Sequence, residues 1–246
     1  MGIQQIALSA VIALLVFSIS LDIKLRDFRR VAQAPRAVVA GLIPQFLLLP
    51  AVTWLATLAL DLPPPIEVAM LLVAACPGGT TSSFITHFGR GNAALSLSIS
   101  AVAALLAVVL TPLNFSWMVA SNPATAQWVR TLAIDPRAIW QTLTLLLALP
   151  LGAGLAFSRG LPGLTDRVRK PLSTLAVFAL VAFIVANVFA QRHLLTIEVW
   201  PILALVLLHN GAGLLLGHAT AVLMRLDLPD RRAVVIEGGM QNVGFA

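Results

Sequence analysis

The chain has 246 residues, of which 59% are apolar and only 11% charged, and a mean hydropathy of +0.94, a balance that excludes an ordinary soluble domain. Its net charge of +6 resides in short loops between apolar stretches, which excludes a continuous nucleic-acid-binding face and points to contact with anionic lipid headgroups. A single cysteine, Cys76, excludes an intrachain disulfide and any CxxC metal or redox motif.

A bilayer core about 30 Å thick is crossed by roughly 20 mostly apolar residues in a helix. In chain order, the stretches 3–21, 37–60, 66–86, 93–119, 139–157, 172–190 and 199–223 meet that length, and 233–246 begins an eighth. The expected fold class is an all-α polytopic membrane protein, with residues 1–246 forming a single transmembrane domain. The first stretch has no basic segment before it and a basic loop after it, so it reads as an anchor and not as a removable signal peptide. Connections 22–36, 87–92, 158–171 and 224–232 hold 13 of the 16 lysines and arginines. The positive-inside rule places those loops in the cytoplasm and the N-terminus outside, in a multi-pass protein of the cell membrane.

The third stretch contains Cys76-Pro77-Gly78-Gly79-Thr80-Thr81-Ser82-Ser83. Pro77 cannot donate to the carbonyl of Val73, and the two glycines add backbone freedom, so a helix break is expected. Freed backbone at membrane depth needs packed protein or a polar cavity, and four hydroxyl residues follow to line one. The last stretch carries Glu237-Gly238-Gly239-Met240-Gln241-Asn242. Glu237 is the acidic residue placed within a span and away from its ends; Glu67 falls near a span start. An unpaired carboxylate at that depth costs at least about 2.5 kcal/mol, so it should bind a cation or a proton. Both broken stretches follow the same tetrapeptide, Leu60-Asp61-Leu62-Pro63 and Leu226-Asp227-Leu228-Pro229. Five spans apart, they cross the membrane in opposite senses, the pattern of an inverted-repeat transporter whose discontinuous helices meet near the midplane.

Oxygen dominates the polar groups on offer: hydroxyls of Thr80, Thr81, Ser82 and Ser83, amides of Gln45, Gln241 and Asn242, and the Glu237 carboxylate. Taken alone, Ser96 and Ser100 read as packing residues and Gln45 as a link between helices. Gly213 and Gly217 permit close helix approach beside His209 and Asn210, and Cys76 reads as a small packing residue. Gly89-Arg90-Gly91-Asn92 lacks the preceding strand of a nucleotide loop, and nothing in the sequence supports an enzyme.

With these residues in view, the sequence resembles the bile acid:sodium symporter family. The matching stretches are Asp27-Phe28-Arg29-Arg30, Gln45-Phe46 with Pro50, Cys76 to Ser83, Leu95-Ser96, His209-Asn210, and Glu237 with Gly239-Met240-Gln241-Asn242. The resemblance implies a panel and a core domain, two crossing discontinuous helices, and two sodium sites behind the crossing. By motif position, one site uses Ser82, Ser83, Ser96, Ser100 and Glu237. The other uses Gln45, Glu237, Gln241 and the carbonyls of Gly238 and Met240. The substrate is expected near Thr80, Thr81 and Asn242. Family members often carry asparagine at the Ser83 position, threonine at Ser100 and aspartate at Asn92.

The function expected is sodium-coupled symport of a small organic anion, bile-acid-like, keto acid or pantothenate-like, with sodium as coupling ion and no cofactor. The alternatives are a proton-coupled or metalloid efflux carrier and a non-transporting membrane receptor or subunit. From Ala233 the last 14 residues extend about 21 Å as a helix, too short to cross, so the chain reads as truncated at its C-terminus.

Overall fold

The computed structural model describes residues 3–23, 31–78, 81–132, 136–190 and 199–241. Its helices are α1 (Ile3–Asp22), α2 (Pro35–Leu60), α3 (Pro64–Ala75), α4 (Thr81–Phe88), α5 (Ala93–Ser121), α6 (Pro123–Thr131), α7 (Pro136–Gly160), α8 (Pro162–Ala190), α9 (Val199–Leu223) and α10 (Leu228–Gly239). Five are long and apolar enough to cross a bilayer: α2, α5, α8, and the segments Trp140–Gly160 of α7 and Trp200–Leu223 of α9. Large apolar side chains such as Phe178, Phe189 and Leu215 project outward, as lipid-facing residues do. The fold is that of an all-α polytopic membrane protein.

Two compact units make up the described chain. The first comprises 1–23 and 146–209. Within it α1 packs against α8, the rings of Phe17 and Phe157 meet edge to face at 6.0 Å, and Arg169 pairs with Asp22 at 3.7 Å. Helix α8 begins before its apolar stretch, since Pro162 suits a first helical turn and Arg167, Arg169 and Lys170 occupy the turns that follow.

The second unit comprises 24–145 and 210–246, and prolines shape it. Residues Pro44–Leu48 of α2 form a π-turn. Pro44 leaves the carbonyl of Ala40 without its helical donor and Pro50 does the same to Phe46. The Thr220 hydroxyl of α9 lies 3.1 Å from Ala40 O and shares its proton with carbonyls of its own helix. Asn114 Nδ2 of α5 donates to Phe46 O at 2.8 Å. Each gap in the backbone ladder is thus met by a side chain from a neighbouring helix, as a dry environment requires.

Helices α3 and α10 each run for 12 residues and then stop. Cys76 and Met240 leave the helical conformation, and Gly78 and Gln241 join the two ends through one antiparallel bridge. Thr111 of α5 donates its hydroxyl to Ala75 O at 2.8 Å, satisfying a carbonyl that the break set free. The shared tetrapeptide does not adopt one conformation: Asp61 sits in the left-handed region (φ 46°), while Asp227 is an extended N-cap of α10, accepting from Asp230 N at 3.1 Å.

Candidate functional site

The bridge between Gly78 and Gln241 brings α3, α4, α5 and α10 around one carboxylate. Glu237, on the last turn of α10, is fully buried. Its Oε2 accepts hydrogen bonds from Ser82 Oγ and Ser96 Oγ, each at 2.6 Å, and its Oε1 accepts from Ser100 Oγ at 2.5 Å. Ser83 Oγ lies 3.0 Å from Ser96 Oγ. Since the one hydroxyl proton of Ser96 goes to Glu237, Ser83 is the donor in that pair. Ser96 and Ser100 stand one turn apart on α5 and reach the same carboxylate. Among the described residues no basic side chain pairs with Glu237.

Behind the carboxylate lies a second group of oxygens. Gln45, placed by the π-turn of α2, is fully buried and accepts from Gly78 N at 3.1 Å. A π-turn adds a residue to the helical turn and re-aims the side chains on it, a device frequent at functional sites. A methyl group added at Gly78 would lie 2.8 Å from Met240 O and 3.0 Å from Glu237 O. Only glycine therefore permits these carbonyls to close over the α3 end. Gln241 Nε2 donates to Gly238 O at 3.0 Å, while its Oε1 is buried with no donor among the described residues.

The residues singled out in the sequence fall into place unevenly. Ser82, Ser83, Ser96, Ser100 and Glu237 form one contiguous cluster; Gln45, Gln241 and the Met240 carbonyl gather on its other side. The Gly238 carbonyl is turned toward α9, where a methyl at Gly213 would meet it at 2.5 Å. Thr80 and Asn242 lie outside the described residues, as does the side chain of Thr81. The electron pairs that both clusters offer are on oxygen, the kind a hard cation such as sodium takes; Gln241 Oε1 and Gln45 Nε2 are buried without a hydrogen-bond partner among the described residues.

Two features escaped the sequence. Glu67 is buried at 1% exposure and held by Asn122 Nδ2 at 3.1 Å, which also reaches Thr57 Oγ1. The cause is α6, which covers that end of α3; its signal was Asn122-Pro123, an N-cap followed by a proline at the first helical position. Thr86 is likewise fully buried, one turn beyond Ser82.

A model of the sodium bile acid symporter family matches residues 9–198. An uncharacterized sodium-dependent transporter of Bacillus subtilis (strain 168), YocS, is 32% identical over 234 residues, covering 95% of this chain and 70% of its own length. A probable chloroplastic sodium/metabolite cotransporter of Oryza sativa subsp. japonica, BASS1, is 28% identical over 233 residues, 94% of this chain and 55% of its own. The human ileal sodium/bile acid cotransporter is 25% identical over 238 residues, 96% of this chain and 66% of its own. This chain thus spans roughly half to seven-tenths of the length of these relatives. With most of its residues matched by the family model, the chain belongs to the sodium bile acid symporter family.

Proposed function

We propose that the protein is a secondary transporter that couples the entry of a small organic anion to sodium by alternating access. The observation that carries the proposal is a fully buried carboxylate, Glu237, surrounded by three hydroxyl donors and no basic residue among those described. Two sodium ions are assigned. One takes Glu237 with Ser82, Ser83, Ser96 and Ser100, whose hydroxyls turn their lone pairs inward once an ion replaces the hydrogen bonds. The other takes Gln45, Glu237, Gln241 and the Met240 carbonyl, with the Gly238 carbonyl joining once it turns from α9 and gives up its bond from Gln241 Nε2. Neutralising Glu237 would lower the cost of keeping it in a dry site and stiffen the contact of α3 with α10.

The half-helix ends supply the counterpart for an anion. A helix N-terminus carries unsatisfied N–H groups and partial positive charge, and α4 begins at Thr81 beside the break. Thr80, Thr81 and Asn242 are proposed as substrate contacts. Bile-acid-like, keto acid and pantothenate-like anions are the classes considered, in keeping with relatives named for bile acid or organic anion transport. The protein would lie in the cell membrane with its N-terminus outside and its basic loops cytoplasmic. The metalloid-efflux alternative needs an accessible thiol, whereas Cys76 is buried.

Uptake of radiolabelled taurocholate, pyruvate and pantothenate into proteoliposomes tests the proposal. An inward sodium gradient should drive uptake of at least one of them, and Glu237→Ala should abolish that uptake. Uptake that ignores the sodium gradient, or persists in Glu237→Ala, would refute sodium coupling.

A further inference from the structure

Helix α4 is inverted in its polarity: Phe84, Ile85 and Phe88 are exposed, while Ser82, Ser83 and Thr86 are buried. Thr86 follows Ser83 by three residues and Ser82 by four, so it shares a side of the helix with both. Ser82 and Ser83 belong to the Glu237 cluster. Thr86 does not. It lies one turn nearer the Phe88 end, and its hydroxyl is buried with no hydrogen-bond partner among the described residues. A buried hydroxyl without a partner lowers stability, and valine, of the same shape, would fill the position without that cost.

Beyond Thr86 the face ends at a tight closure between the α4–α5 turn and the start of α10. Gly91 N donates to Thr86 O at 2.8 Å, and Asn92 N to Pro229 O at 2.9 Å. Asn92 Nδ2 donates to Asp230 Oδ1 at 2.7 Å, and Arg232 Nη1 reaches the carbonyls of Gly89 and Arg90 at 3.3 Å. A methyl at Gly91 would lie 2.7 Å from Thr86 Cγ2 and 3.1 Å from Arg232 Cβ. Arg90 is held in the left-handed region (φ 53°), a conformation that non-glycine residues adopt only when their surroundings impose it.

We propose that the hydroxyl face of α4 is the route by which the ion held at Glu237 leaves toward the basic loops. Thr86 is its intermediate oxygen ligand, and the Asn92–Asp230 hydrogen bond, backed by Arg232, closes its mouth. This rests on Glu237 being a sodium carboxylate. An ion in transit needs sites weak enough to leave, which a single hydroxyl provides and a filled coordination shell does not. The passing ion gives the Thr86 oxygen a partner that none of the described residues supplies. Asp230, a carboxylate at the mouth, then draws the ion outward once Asn92 releases it.

The test uses the full chain, solubilised and equilibrated with radioactive sodium alone, then diluted into unlabelled salt. Thr86→Val should release label about tenfold more slowly, the factor expected for loss of one oxygen ligand of hydrogen-bond strength, and should melt no lower than the unmodified chain. Thr86→Ser should restore the rate, and Asn92→Ala should release label faster. Saturable sodium binding that Glu237→Ala abolishes, with release unchanged in Thr86→Val and Asn92→Ala, overturns the route alone. Absence of saturable binding in the unmodified chain overturns the sodium assignment and the route together.

Discussion

At Glu237 a charge stands where the surrounding sequence is apolar, and that contrast made it legible. The serines around it were not legible in the same way, since a hydroxyl in a membrane helix satisfies itself as readily on its own backbone. Only the family motif singled out Ser96 and Ser100, and the structure sets both within 2.6 Å of the carboxylate. Ser100→Ala should weaken sodium binding by about tenfold to a hundredfold, because hydrogen bonds to a charged group contribute about 1.5–3 kcal/mol and ion coordination replaces a bond of that kind. A sodium titration followed by thermal melting measures it, and an unchanged midpoint would remove Ser100 from the site. Glu67 shows the opposite failure. Its place near a span start gives no sign of burial, yet α6 folds over it and Asn122 supplies its hydrogen bond.

Among the elements, the two breaks were visible as Pro-Gly-Gly and Gly-Gly, because those residues remove a donor or a side chain that a helix needs. The π-turn of α2 was not visible: Pro44 and Pro50 mark kinks, but the repair comes from α5 and α9, which are remote in sequence. Asn114→Leu should leave Phe46 O without its donor and cost about 1–3 kcal/mol of stability, measured as a lower melting temperature; an unchanged melt would show that the carbonyl needs no replacement donor. The packing assigned to Gly213 and Gly217 has a target in α10. Gly213→Ala would push a methyl to 2.5 Å from Gly238 O. It should separate α9 from α10 at a cost of about 1–3 kcal/mol and raise the sodium midpoint if the Gly238 carbonyl serves as a ligand. A melt and midpoint both unchanged would contradict that close contact.

For the whole molecule, alternating loop charge predicts one orientation. In a chain whose single native cysteine is buried, a cysteine introduced at Arg159 should resist a membrane-impermeant thiol reagent added outside intact cells, and react after lysis. Labelling before lysis would invert the topology. The repeated tetrapeptide is a weaker guide at this scale, because its two copies fold differently; the equal 12-residue lengths of α3 and α10 and their meeting at Gly78 and Gln241 carry the symmetry instead. The most direct measurement is saturable binding of radioactive sodium to the purified chain and to Glu237→Gln, which keeps the shape and removes the charge. Saturable binding in the first and none in the second is predicted. Equal binding in both would contradict a sodium site built on Glu237.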